Sequence, residues 1–247
     1  IIALLTRRKL KIPKLPLVYL LALIPACIIT VATYYPEEAR LGRLSFSMSG
    51  PVFLALSCWF FSHVRINLKQ LRRIFLAIII PQLSVGCVTL FYTVTVENIE
   101  FGTESNLVTS GGFGPNQVAG VLGLGLFLTA ACMILFQNTS RCKAIFGAIA
   151  VFFAAQSMMT FSRGGIYVAV GAVIVLILFH FRNFADGIKR LFPILVLASL
   201  FVWFVFPFIN NYTGGKLLER FEDEGTTKRV DIIGSDIDIF LENPVFG

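Results

Sequence analysis

Charge is scarce in this sequence. Only 14% of its 247 residues are Asp, Glu, Lys or Arg, against 56% hydrophobic, and the mean hydropathy is +0.80. A soluble domain of this length carries about 25% charged residues, so a water-soluble globular enzyme is excluded. Disorder is excluded as well, because disordered chains are poor in apolar residues. Histidine is nearly absent, with His63 and His180 the whole supply. The five cysteines, Cys27, Cys58, Cys87, Cys132 and Cys142, show no CxxC spacing. They read as small hydrophobic residues, which removes a disulfide framework and a thiolate metal site from consideration.

Long apolar runs remain, and they predict an all-α, polytopic transmembrane helix bundle. A helix needs about 20 apolar residues to cross a bilayer. Seven runs meet or approach that length, at 15–35, 45–64, 74–96, 117–136, 144–161, 166–181 and 191–209, giving about seven complete spans with no charged residue inside any of them. Ile1–Leu5 reads as the tail of a further helix. The bundle is expected to occupy 1–209, with 210–247 the start of an outer loop. The chain begins at Ile1 rather than Met and stops after Phe246-Gly247, so it is read as a piece open at both ends.

The loops sort by charge. Loops 1–14, 65–73, 137–143 and 182–190 hold fourteen of the 21 bases and one acid, Asp186. Loops 36–44, 97–116, 162–165 and 210–247 hold the other seven bases and thirteen acids. Short basic loops stay in the cytoplasm, which puts the second set outside. The net charge of +7 is therefore a topology signal and gives no reason to expect nucleic acid as a partner. Pro25, Pro51, Pro81, Pro193 and Pro207 fall within spans, where neighbouring helices satisfy the carbonyls that proline frees. Ala119 and Gly123 form a small-xxx-small pair suited to close helix packing.

Groups able to do chemistry lie in the outer loops. Phe161-Ser162-Arg163-Gly164-Gly165 joins spans of 18 and 16 residues, short enough to draw the turn toward the membrane interface. An arginine there either marks a functional cavity or snorkels to lipid headgroups, and the two glycines permit close approach of backbone or ligand. Gly111-Gly112-Phe113-Gly114-Pro115-Asn116 leads into the fourth span, where Asn116 either caps the helix or meets a polar ligand. Capping is favoured on the residues alone. In the tail, Val230, Ile233, Ile237 and Phe240 recur at helical spacing and predict an amphipathic helix, ended by Asn243-Pro244. Thr226 and Thr227 are candidate caps. Lys228 and Arg229 at its first turn oppose the helix dipole yet suit a phosphate; the alternative is a solvated pair balanced by Glu222, Asp223 and Glu224. His63 and His180 sit at the cytoplasmic ends of spans, too far from the outer loops to serve there as a base, which must come within about 3 Å of its proton.

Three landmarks, in this order, carry a family resemblance. They are Gly112-Phe113-Gly114-Pro115-Asn116, then Thr160-Phe161-Ser162-Arg163-Gly164-Gly165, then Arg229 followed by the amphipathic helix and Phe240-Leu241-Glu242-Asn243-Pro244-Val245-Phe246-Gly247. Over about 70–247 the chain resembles the O-antigen ligase / O-antigen polymerase superfamily of bacterial inner-membrane proteins. The resemblance implies a metal-independent glycosyltransferase with no cofactor, working on the periplasmic face in surface polysaccharide biosynthesis. Its donor would be an undecaprenyl-diphosphate-linked glycan and its acceptor a glycan or lipid A–core. Arg163 and Arg229 match the arginines that hold the carrier's diphosphate, with Ser162, Asn116 and Lys228 in support. The catalytic histidine is expected beyond Gly247. The competing expectations are a transporter or flippase for a lipid-linked or small solute, and a structural membrane partner. The absence of Asp, Glu, Lys and Arg inside the spans argues against a proton-coupled carrier.

Overall fold

The computed structural model describes residues 14–34, 36–62, 64–136, 139–180, 184–222 and 229–242. All regular structure among them is helical: α1 Lys14–Tyr34, α2 Glu37–Ser62, α3 Leu68–Thr95, α4 Pro115–Leu135, α5 Ser140–Met159, α6 Arg163–His180, α7 Phe184–Leu200, a π-helical turn Phe201–Val205, α8 Phe206–Tyr212, α9 Lys216–Glu222 and α10 Arg229–Glu242. Six segments are long and apolar enough to cross a membrane, the last being the continuous run Phe192–Tyr212 through the π-turn. The span expected at 166–181 is the shorter apolar stretch Arg163–Leu178. The protein is therefore an all-helical polytopic membrane bundle, with six such helices among the described residues where about seven full-length spans were expected. Ile1–Leu5, His63 and Thr226 to Lys228 lie outside the described residues, as do Asn243 to Gly247.

The chain divides into two compact units. The first contains α1, α2 and α10. Glu37 and Glu38 stand in the first turn of α2, where carboxylates suit the helix dipole. The loop expected at 36–44 is therefore mostly the opening of this helix. Arg40 donates to the Ala32 carbonyl at 3.0 Å and pairs with Glu37 at 3.5 Å, tying the end of α1 to the start of α2. Along α2 no side chain is buried. Helix α10 forms where the apolar spacing predicted, and Ile233, Ile237 and Phe240 on it are exposed.

The second unit, residues 67–224, is built around α4, two-thirds of whose apolar window is buried. Asn67 starts α3 with a reciprocal capping box: its side chain accepts from the Gln70 amide at 2.8 Å, and its own amide donates to the Gln70 side chain at 3.0 Å. Such pairing satisfies two amide donors that a helix start leaves unbonded. Pro115 opens α4 at a position that needs no amide donor. Leu122, Cys132 and Phe153 sit at the centre of the packed interior with Ile79 and Val118. Between α4 and α6 the backbones nearly touch. A Cβ added at Gly123 would lie 2.3 Å from the Gly165 carbonyl oxygen, and one at Gly165 would lie 2.1 Å from that of Ala119. The small-xxx-small pair of α4 is thus a packing seat, and Gly165 is its partner. Near Pro207, which cannot donate to the carbonyl four residues back, the helical ladder widens into the π-turn, with the Phe206 amide bonded to the Phe201 carbonyl.

Candidate functional site

One end of the second unit gathers three segments far apart in sequence: loop 96–114, the turn between α5 and α6, and the stretch from α8 to α9. Asn106 organises the loop. Its side chain accepts from the Thr109 amide at 3.1 Å and donates to the Glu100 carbonyl at 3.1 Å, while its backbone carbonyl accepts from the Ser110 hydroxyl at 2.6 Å. The loop then closes the end of α5. Helix termini leave carbonyls unbonded, and here the Thr109 hydroxyl donates to the Met159 carbonyl and the Asn106 amide to that of Thr160, the latter at 3.0 Å.

Aromatic packing fastens the same end. Phe161 adopts a left-handed φ of 57° and is 1% exposed. Its ring stacks on Phe101 at 5.7 Å, and Phe101 meets Tyr212 edge-on at 5.7 Å. The Tyr212 hydroxyl donates to the Thr93 carbonyl at 3.2 Å, which ties α8 to α3. Met159, Phe161, Ile209 and Leu217 form an apolar cluster beneath, separate from the main interior. A non-glycine residue held left-handed costs roughly 1–3 kcal/mol and persists only where its surroundings fix it; this cluster supplies that constraint.

Arg163 follows at once. The connection expected at 162–165 is shorter than the sequence suggested, because Arg163, Gly164 and Gly165 already form the first turn of α6. Arg163 is half-buried. Of the two glycines, Gly165 serves helix contact, while a Cβ at Gly164 would meet open space. Asn116 is not a helix cap: Gly114 occupies that position with no side-chain cap bond. Instead the Ser162 hydroxyl donates to the Asn116 side-chain oxygen at 2.8 Å. Capping by Asn116 lost because Pro115 takes the first helical position and carries Asn116 into the helix, facing the α5–α6 turn.

The structure therefore brings Asn116, Ser162 and Arg163 together. Lys228 lies outside the described residues. Arg229 opens α10 in the first unit, and its side chain is outside the description. Arg220, which the sequence reading did not single out, also reaches this end: its Nε donates to the Phe161 carbonyl at 3.2 Å. The sequence did hold a hint, since Leu217 and Phe221 bracket it at helical spacing after the Gly214-Gly215 break. Phe221 meets Tyr167 of α6 edge-on at 6.3 Å, so α9 is seated against the helix that Arg163 begins. Along α4, α5, α6 and α7, wholly apolar side chains line a partly open cavity of about 360 Å³, with Ile166, one turn from Arg163, among its lining residues.

These features define a multi-pass membrane protein with a polar, arginine-bearing end built on a packed helical interior. Residues 148–247 match the family model described as O-antigen ligase, which supports the resemblance of the chain to the O-antigen ligase/polymerase superfamily. The match runs from α5 through the arginine turn to α10 and supports a glycosyltransferase-like membrane enzyme acting on lipid-linked glycans. No curated protein and no solved structure matches the chain.

Proposed function

We propose that the protein transfers or polymerises glycan from an undecaprenyl-diphosphate carrier at the periplasmic face of the bacterial inner membrane, with Arg163 and Arg229 holding the diphosphate. The observation that carries this reading is the seat of Arg163. It is half-buried at the first turn of α6, beside the Ser162–Asn116 hydrogen bond, at an end of the bundle closed by loops that the charge pattern assigns to the outside. A cation at a helix start opposes that helix's own dipole. An arginine kept there is suited to an anion, which the helix amides also attract.

In the reaction, the bond between the anomeric carbon and the phosphate oxygen breaks, and the leaving undecaprenyl diphosphate keeps the electron pair. The acceptor hydroxyl forms the new glycosidic bond and gives its proton to a base. Negative charge grows on the diphosphate, and guanidinium groups answer it with permanent charge and bidentate geometry. A preorganised donor of this kind is worth about 3 kcal/mol in the transition state. The apolar cavity along α4 to α7 suits a stretch of prenyl chain whose head lies at the arginine-bearing end.

Arg163→Ala, and separately Arg229→Ala, should abolish transfer of labelled glycan by the full-length protein while its membrane level stays normal. Lysine at position 229 should also be poor, since it forfeits the fork. Full transfer by either alanine variant would refute the role. Solute flux in liposomes without any transfer would favour a transporter.

A further inference from the structure

We propose that Arg220 is a positioning residue for Arg163: it locks the peptide from which α6 starts. This rests on the reading of Arg163 as a diphosphate ligand. The peptide joining Phe161 to Ser162 is held at both of its polar atoms. Its carbonyl accepts from Arg220 Nε at 3.2 Å, and its amide donates to the Thr160 hydroxyl at 3.2 Å. On one side of that peptide stands Phe161, left-handed and clamped by Phe101. On the other stands Ser162, bonded to Asn116, and then Arg163.

Three successive carbonyls at this end, those of Met159, Thr160 and Phe161, take donors from outside α5. The first two come from loop 96–114. The third comes from Arg220, 59 residues down the chain. Only this third bond acts on the peptide immediately before Ser162 and Arg163. A charged donor suits the place, because the carbonyl end of α5 is the negative end of its dipole and a charge-assisted bond is stronger than a neutral one. The guanidinium is brought there by α9, whose Leu217 is fully buried and whose Leu218 amide donates to the Asn210 side chain at 2.9 Å. Loss of the Arg220 bond frees the peptide to rotate, and with it the direction in which α6 presents Arg163.

The test compares Arg220→Met, which keeps the stem but has no donor, with Arg220→Lys, which restores a charged donor. Both are made in the full-length protein, with amide hydrogen exchange over 158–166 and steady-state transfer from a lipid diphosphate donor as readouts. Arg220→Met should speed exchange of the 161–164 amides and lower kcat about tenfold, with donor KM raised by a smaller factor; Arg220→Lys should recover most of both. If the methionine variant does not accumulate, Arg220→Gln replaces it, with loosening and kcat expected between lysine and wild type on one side and total loss on the other. Unchanged exchange would overturn the lock. A raised KM at unchanged kcat would overturn it too, by making Arg220 a direct substrate ligand. Faster exchange with normal transfer in Arg220→Met, while Arg163→Ala is inactive, would overturn the positioning role alone. Normal transfer in Arg163→Ala would sink the underlying reading instead.

Discussion

Helices α1 and α4 have the same mean hydropathy, 2.4 over their best windows, yet the first is 6% buried and the second 67%. Composition decides the difference. Helix α1 has no glycine, and its Leu15, Leu21 and Ile28 stand exposed as a lipid-facing helix allows. Helix α4 has Ala119, Gly123, Ala130 and Ala131 along its length, and neighbouring backbones close upon it. Within a bilayer, where lipid is as apolar as leucine, such close packing is the available source of helix association. The lesson is that a buried helix is built by small residues, while hydropathy marks only what enters the membrane.

Substitution at the α4–α6 contact should show the largest effect. Gly165→Ala puts a methyl group against the Ala119 backbone, which cannot swing aside. A loss of about 3 kcal/mol or more is expected, read as a collapse in folded protein in membranes or in the thermal midpoint in detergent. Arg163→Ala comes next: transfer should be abolished, a fall of at least about 100-fold, at normal protein level, whereas Arg43→Ala in α2 should leave transfer intact. Asn116→Ala removes the acceptor of the Ser162 hydroxyl and should cost about 1 kcal/mol of stability, with a smaller loss of transfer than Arg163→Ala. At the bottom stands Gly50→Ala in α2, where a Cβ would meet nothing within 4 Å. It should be neutral or stabilise by up to about 1 kcal/mol through helix propensity. If Gly50→Ala and Gly165→Ala behaved alike, the contrast between the two helices would be void.

The all-helical bundle was legible because apolar runs without charge have few other fates in a chain this long. The helix at 229–242 was legible from its spacing of isoleucines and phenylalanine. The seat of Asn116 was not, because an asparagine beside a helix start is usually a cap, and only the fold reveals Ser162 as its partner. The two glycines after Arg163 looked equivalent in sequence; the structure separates them, since Gly165 faces α4 and Gly164 faces open space. Arg220 was hidden for a different reason. Its partner is a backbone carbonyl, and no side-chain motif records a bond to the main chain. Helix α2 likewise starts earlier than hydropathy suggested, because Glu37, Glu38 and Arg40 are polar enough to resemble a loop yet satisfy the first turn of a helix.

Affinity for undecaprenyl diphosphate, compared with the monophosphate, is the most direct measure of the arginine-bearing end. With full-length protein in lipid nanodiscs, the wild type should bind the diphosphate more tightly, and Arg163→Ala should weaken diphosphate binding by at least about tenfold while leaving the monophosphate little changed. Equal affinities of wild type and Arg163→Ala for the diphosphate would contradict the account.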